Sequence, residues 1–207
     1  MTHEATRRLE EIGSDVRICT RCELCRGRTL AVPGSGNAQA EIMFIGEAPG
    51  MNEDREGLPF IGAAGKFLDE MLAAIDLNRA DVFVTNVVKC RPPGNRDPLP
   101  DEISACQPYL DAQIEAIDPR MVVTLGRYSM ARWFPNERIS RIHGQPRVYG
   151  SRVIVPMYHP AAAVHQASLR ETIGADMQKL PRFLAEMREK QLAAAEQPQL
   201  AEQLKLF

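Results

Sequence analysis

Short apolar runs alternate with longer amphipathic stretches along this chain. Four runs have the length and composition of buried strands, namely residues 41–46 (EIMFIG), 81–88 (DVFVTNVV), 121–126 (MVVTLG) and 152–157 (RVIVPM). Each run leads into residues that are typical of loops. Because strands separated by helices pair mainly in parallel, this order predicts an α/β fold whose sheet is covered by helices on both faces.

Two of the intervening stretches repeat apolar residues at helical spacing. The first follows Gly65 (Phe67, Leu68, Met71, Leu72, Ile75), and the second follows Asp101 (Ile103, Cys106, Leu110, Ile114, Ile117). We predict a helix for each, with Asp101 as the N-cap of the second and Pro108 as an unfavourable residue inside it.

The chain is long enough for one core of ordinary size, since it has 207 residues of which 44% are apolar. We predict one domain over residues 1–186. From 187 to 207 the sequence becomes polar and rich in alanine and glutamine, which indicates a flexible or partly helical tail.

Net charge and hydropathy limit which partners and which cellular location we expect for this protein. The 25 basic and 27 acidic residues give a net charge of −2, so contact with a polyanion has to come from local patches. The first twenty residues lack the apolar core of a signal peptide, and no uncharged apolar run approaches the ~20 residues that span a bilayer. We therefore expect a cytoplasmic protein without a membrane partner.

Polar and aromatic residues collect where the predicted strands end. Glu47 follows the first strand, Asn86 ends the second and His159 follows the fourth, while Phe60 lies in the long loop after the first. Each taken singly fits an ordinary role as a cap, a core aromatic or a loop histidine. Because the carboxyl ends of parallel strands meet at one edge, the four together predict a binding pocket there.

The five cysteines form a second group. Cys19 and Cys22 are spaced C-x2-C, and Cys90 and Cys106 are spaced C-x15-C. Four thiolates suit either tetrahedral zinc or a [4Fe-4S] cluster, and spacing alone does not separate the two. A redox role for the first pair is a weaker alternative, because that pair lies in a charged segment. Cys25 is interpreted as an ordinary cysteine rather than a ligand.

Three long blocks resemble the family 4 uracil-DNA glycosylases, the iron-sulfur branch of their superfamily: GEAPGMNEDREGLPFIGAAG, VTNVVKCRPPGNRDP and YHPAAAV. The resemblance extends from about Ile18 to Leu184 and includes both cysteine pairs. It implies a three-layer α/β/α sandwich with a four-stranded, mainly parallel sheet, and hydrolysis of the bond between uracil and its sugar. It also implies a [4Fe-4S] cluster held by Cys19, Cys22, Cys90 and Cys106.

The same resemblance assigns the pocket. The positions that match uracil-contacting residues of the family are Gly46, Glu47, Ala48, Phe60, Asn86 and His159. Phe60 would stack on the base, Asn86 would pair with uracil O4 and N3–H, and His159 would donate to O2. Glu47 would orient or activate the attacking water, because Ala48 stands where some other uracil glycosylases carry a catalytic aspartate. Glu53 is the candidate for a wall that excludes the thymine methyl group.

Contacts with DNA are predicted in basic segments. Residues 132–152 hold five arginines and His143 against one glutamate, and Lys89, Arg91 and Arg96 lie near the proposed cluster loop, so both groups could meet phosphates. The candidates for phosphate contact are Arg91, Arg138, Arg141 and Arg147. The alternative is an ordinary solvated surface. Val164, in a predicted loop after His159, is a candidate wedge between base pairs.

The C-terminal residues QLKLF resemble the peptide by which bacterial proteins bind the sliding clamp. Gln203, Leu204, Leu206 and Phe207 would be its anchors, which would make the source bacterial and link repair to replication. The alternative is an apolar end that folds back onto its own domain. For the whole chain, two rival functions stay open, a nonenzymatic lesion-binding protein and a redox protein that uses its C-x2-C.

Overall fold

This computed structural model describes residues 2–203, and the side chains in that range apart from those of Thr2, His165 and residues 193–203. Within this range the strands are β1 (Ser35–Gly36), β2 (Ile42–Gly46), β3 (Phe83–Asn86), β4 (Met121–Leu125), β5 (Arg147–Tyr149) and β6 (Arg152–Met157). The helices are α1 (Thr2–Ile18), α2 (Leu24–Gly27), α3 (Met51–Glu56), α4 (Ala63–Ala73), α5 (Pro100–Ile117), α6 (Arg127–Ala131), α7 (Ile139–Ile142), α8 (Pro160–His165), α9 (Ala167–Met177) and α10 (Leu180–Gln203).

The strands form one sheet in the order β1-β3-β2-β4-β6-β5. The central four run parallel, as the apolar runs predict, while β1 and β5 pair antiparallel at the two edges. The sheet therefore has six described strands rather than the four that were expected. The edge strands escaped the sequence analysis because β1 has two residues and β5 is exposed along its length, so neither shows an apolar pattern.

Helices cover both faces of the sheet, which confirms the three-layer α/β/α sandwich. Phe44 and Val123 face the core formed with α4, α9 and α10, whereas Met43 and Val122 face the core formed with α1 and α5. Neighbouring strand residues point to opposite faces, so continuous apolar runs are needed to fill two cores. Each buried side chain of this size contributes roughly 1.5–3 kcal/mol.

Two local predictions need correction. Helix α5 is capped by Leu99, whose N–H donates to Glu102 Oε2 over 2.7 Å, so Asp101 is not the N-cap. The predicted loop after His159 is the helix α8, since Pro160 has the fixed φ that suits a first helical residue. Helix α10 (Leu180–Gln203) runs across 186/187, and the domain boundary predicted there stays a prediction.

The predicted clamp anchors Leu204, Leu206 and Phe207, and the side chain of Gln203, lie outside the described residues. In the part of the chain that is described, none of the helices combines the length and the apolar character that a bilayer span requires.

Candidate uracil pocket and cysteine cavity

A cavity of about 200 Å³ opens where β2, β3 and β6 end. Among the residues lining it are six of the predicted uracil-binding positions: Glu47, Ala48, Glu53, Phe60, Asn86 and His159. Pro92, Asn95 and Arg96 line the cavity too, although they were not among the predicted pocket residues. They lie in the Pro- and Gly-rich loop after β3, and that composition was the available signal.

Asn86 provides a polar group without a partner. Its side chain is 1% exposed, and its Oδ1 has no hydrogen-bond partner among the described residues. Leaving a buried acceptor unpaired costs about 1–3 kcal/mol. A ligand that donates a hydrogen bond in this cavity would remove that cost.

Gly46 allows two pocket residues to close over the end of β2. A Cβ atom at Gly46 would lie 2.4 Å from Asn86 Oδ1 and 2.5 Å from Phe60 Cζ, which is too close for any side chain. Phe60 itself has a φ of 53°, an unfavourable conformation for a bulky residue. Its carbonyl oxygen accepts a hydrogen bond from Arg79 Nη2 at 2.7 Å, which helps to hold that conformation.

Glu53 organises the loop that carries Phe60. Its carboxylate accepts hydrogen bonds from the N–H groups of Gly50 (3.1 Å), Ile61 (2.9 Å) and Gly62 (2.8 Å). The side chain therefore joins the start of α3 to the start of α4 around the cavity. Its role as a wall against the thymine methyl group stays a prediction.

His159 is held as a neutral ring against Phe60. The two ring centroids are 5.5 Å apart, at 29° between the planes. The N–H of Ala161 donates to His159 Nδ1 over 3.1 Å, so the neutral ring carries its hydrogen on Nε2. Burial lowers the pKa of His159 to about 4, against the opposing effect of the Glu53 charge. At neutral pH this ring is an uncharged hydrogen-bond donor.

Glu47 lies in a charged environment that the sequence did not reveal. Burial raises the pKa of Glu47, the charge of Asp97 raises it further, and the charge of Arg127 lowers it. Arg127 also forms an ion pair with Asp97. A carboxylate with a raised pKa is suited to accepting a proton near neutral pH.

All five cysteines line a second cavity, between α1, the segment after β3 and α5. Arg28 Nη1 donates to Cys90 Sγ over 3.2 Å, and the N–H of Lys89 donates to Cys106 Sγ over 3.3 Å. Burial raises the pKa of Cys106 to about 11. Within the described part of the chain, no three His, Cys, Asp or Glu side chains are grouped so that they could hold a metal ion.

The predicted DNA-binding residues lie outside the cavity lining. Arg138 and Arg141 are exposed, and neither forms an ion pair within the described range. Arg147 pairs with Glu137 at 3.4 Å, while Arg91 Nε donates to Asn95 Oδ1 at 2.7 Å and so contacts the cavity lining. Val164 is 42% exposed on α8.

Lys89 does not have the surface role that was predicted for it. Lys89 is 1% exposed, so a phosphate contact by this side chain is ruled out and that prediction is wrong. Burial lowers the pKa of Lys89 to about 8. Arg96 is exposed and also lines the cavity at the strand ends, where both its terminal nitrogens donate to the Glu102 carboxylate at 2.9 and 2.6 Å, and its contact with phosphate stays a prediction.

Comparison with known proteins agrees with this geometry. Residues 33–190 match the model of the uracil DNA glycosylase superfamily. A type-4 uracil-DNA glycosylase of Saccharolobus solfataricus is 49% identical over 86% of this chain and 87% of its own length. Those of Sulfurisphaera tokodaii and Archaeoglobus fulgidus are 50% and 46% identical, each over 83% of this chain and over 83% and 91% of their own lengths. The chain belongs to the uracil DNA glycosylase superfamily, in its type-4 branch, which confirms the resemblance.

Proposed function

We propose that this chain is a monofunctional DNA repair glycosylase that flips uracil out of DNA and hydrolyses its N-glycosidic bond, leaving an abasic site. The observation that carries the proposal is the buried Oδ1 of Asn86, which finds no partner in the described part of the chain and lies in a cavity that also holds the neutral donor His159. The uracil ring offers one N–H between two carbonyl oxygens, and these two side chains supply the matching acceptor and donor.

Base recognition would depend on Asn86 and Phe60. A flipped base has lost its stacking, at a cost of a few kcal/mol, and Phe60 would replace part of it. Asn86 would accept from N3–H and donate to O4. Cytosine has the opposite polarity at both atoms, so it would leave two buried groups of the site unpaired.

Bond cleavage would depend on His159 and Glu47. As the bond breaks, negative charge develops on uracil O2 and positive charge on the sugar. The Nε2–H of His159 would stabilise the first, a contribution of about 10²–10³ in rate. Glu47 would orient or deprotonate the attacking water, and its negative charge would stabilise the sugar cation.

Uracil release from a single-stranded oligonucleotide by anaerobically purified protein tests this function. We expect release by the wild type and a loss of at least about 100-fold in both Asn86→Ala and His159→Ala. The exposed residues Asn136 and His3 offer matched controls, Asn136→Ala and His3→Ala, which should retain activity. Tight binding without release would favour the nonenzymatic lesion-binding protein instead.

We infer that Cys19, Cys22, Cys90 and Cys106 hold a [4Fe-4S] cluster. Their common cavity and the donation from Arg28 to Cys90 Sγ support this, because hydrogen bonds stabilise the negative charge of ligating thiolates. When bound, the cluster would supply a cross-link between α1, the segment after β3 and α5. Its chemistry would not enter the hydrolysis.

Iron and sulfide analysis of single Cys→Ala variants tests the ligand set. Loss of iron in the four ligand variants and retention in Cys25→Ala would support it. Zinc in the wild type, or loss of iron on replacing Cys25, would contradict it. The competing redox role for the C-x2-C would require uracil release to be absent from cluster-loaded protein.

We infer that Arg91, Arg138, Arg141 and Arg147 contact DNA phosphates and that Val164 fills the space left by the flipped base. Arg138 and Arg141 support this, because both are exposed and neither has an ion-pair partner among the described residues. Replacing either by glutamine should reduce the slope of log Kd against log salt by about 1. Arg7→Gln on α1 is a control that should leave the slope unchanged.

We also propose a protein partner, the sliding clamp of a bacterial host, bound through Gln203, Leu204, Leu206 and Phe207. The sequence QLKLF supports this, as an apolar peptide at the end of a polar segment. Phe207→Ala should abolish clamp binding and leave uracil release from a short oligonucleotide unchanged. Unchanged clamp binding in Phe207→Ala would refute the proposal. It would also remove the support that a replication partner gives to a cytoplasmic location.

A further inference from the structure

The ammonium group of Lys89 is buried at the end of β3, directly behind the uracil pocket. Its Nζ donates to Thr85 Oγ1 at 2.6 Å, to the backbone carbonyl of Asn86 at 2.7 Å and to Gln113 Oε1 at 2.7 Å. These bonds use all three hydrogens of the ammonium group. Lys89 is thus fully occupied by acceptors of the protein.

The acceptors around Lys89 are themselves fixed in place. Thr85 Oγ1 donates to the carbonyl of Pro33 over 2.9 Å, and Gln113 Nε2 donates to the same oxygen over 2.6 Å. None of the three atoms that accept from Nζ belongs to a carboxylate. Burial lowers the pKa of Lys89 more than the nearby Cys106 thiolate raises it, so the buried ammonium group is costly, whereas methionine would fill a similar volume at less cost. Packing alone therefore does not account for a lysine here.

The backbone of Val87 and Val88 is hydrogen-bonded to the segment that carries Glu47. The N–H of Val87 donates to Gly46 O at 3.0 Å, and that of Val88 donates to Glu47 O at 3.1 Å. The next N–H, that of Lys89, donates to Cys106 Sγ at 3.3 Å. Residues 86–89 thus join the uracil pocket to the cysteine cavity by a continuous set of bonds.

We propose that Lys89 is a positioning residue, whose ammonium group fixes the backbone of Asn86 and, through Val87 and Val88, that of Glu47. It touches neither substrate nor water. It determines where the amide of Asn86 and the carboxylate of Glu47 lie. The proposal rests on the uracil-binding role proposed for Asn86, and it adds a requirement for selectivity that lies outside the pocket.

The experiment compares Lys89→Met with Val123→Ala, which makes a cavity in the core on the α4 side, a different core from the one formed with α5, the helix that carries Gln113. For each protein we would measure iron content, melting temperature, and single-turnover release of uracil and of cytosine per folded molecule. Lys89→Met should lose at least tenfold in uracil release and should lower the uracil-to-cytosine ratio, at unchanged iron content. Val123→Ala should have a lower melting temperature but should keep the wild-type rate of uracil release and the wild-type uracil-to-cytosine ratio.

A wild-type rate of uracil release with a wild-type uracil-to-cytosine ratio in Lys89→Met would overturn the proposal. Loss of iron from this variant, with an unchanged ratio in the molecules that retain iron, would also overturn it. If Lys89→Met fails to fold, Thr85→Val decides, because it removes one acceptor and keeps the side-chain shape. A severalfold loss of rate in that variant supports the proposal, and a wild-type rate overturns it. Absence of uracil release from the wild type would instead contradict the proposed function.

Discussion

The backbone N–H of Ala161 donates to His159 Nδ1 over 3.1 Å. This bond needs the lone pair of Nδ1, so the first turn of α8 determines which ring nitrogen carries the hydrogen. Protonation of the ring would set two N–H groups against each other at Nδ1. The bond and the burial of the ring therefore act in the same direction, and both keep His159 neutral.

Stability should fall at acid pH because of this histidine. The pKa of His159 is about 4 in the folded chain, below the 6.5 of a free histidine, so the unfolded chain binds the proton more tightly. The contribution of neutral His159 to the free energy of unfolding is complete above pH 6.5. It decreases as the pH falls from about 6.5 to 4, by roughly 3 kcal/mol at most. Urea unfolding at pH 7 and 4.5 should show a larger loss for the wild type than for His159→Gln. Equal losses would contradict the shifted pKa.

The pH dependence of activity should respond to the ion pair beside Glu47. Burial and Asp97 raise the pKa of Glu47, and Arg127 opposes them. Asp97→Asn should therefore move the acid limb of the single-turnover rate to lower pH, and Arg127→Gln should move it to higher pH. Because a base works only when deprotonated, the rate falls as the pH drops through this pKa. Shifts of the same sign in the two variants would refute the electrostatic explanation.

Selectivity for uracil should depend on the amide of Asn86 rather than on its shape. Asn86→Asp keeps the size of the side chain but replaces the donor with an acceptor that repels uracil O4. We expect uracil release to fall by about 10²-fold or more, with a smaller change for cytosine, so that the ratio of the two rates decreases. The measurement is single-turnover release from matched oligonucleotides that differ in one base. A preserved ratio would show that Asn86 does not read the base.

A methyl group at Gly46 should disrupt the pocket, because its Cβ would overlap Asn86 Oδ1 and Phe60 Cζ. We expect Gly46→Ala to destabilise the fold by about 1–3 kcal/mol and to reduce uracil release per folded molecule. Gly27→Ala is the control, since nothing lies within 4 Å of its added atom. Unfolding and release would be measured for both. An active, stable Gly46→Ala protein would contradict the assigned contacts.

Much of the pocket could be predicted because parallel strands place their carboxyl ends at one edge. Glu47, Asn86 and His159 directly follow or end apolar runs, so the order of the runs alone brings them together. Asp97 and Arg127 gave no such signal. Their effect on Glu47 depends on how the loop that carries Asp97 packs against the start of α6, which local sequence does not specify.

The sequence by itself determined the parallel core of the sheet, the two helical layers and those pocket residues that lie at strand ends, because apolar periodicity and strand ends are local properties of the chain. Only the tertiary structure decided that Lys89 is buried and Arg138 exposed, though both are basic residues near apolar runs. It also decided the tautomer of His159 and the unpaired state of Asn86 Oδ1. Charge, burial and hydrogen-bond partners depend on residues far apart in the chain, and they are fixed only when the layers pack together.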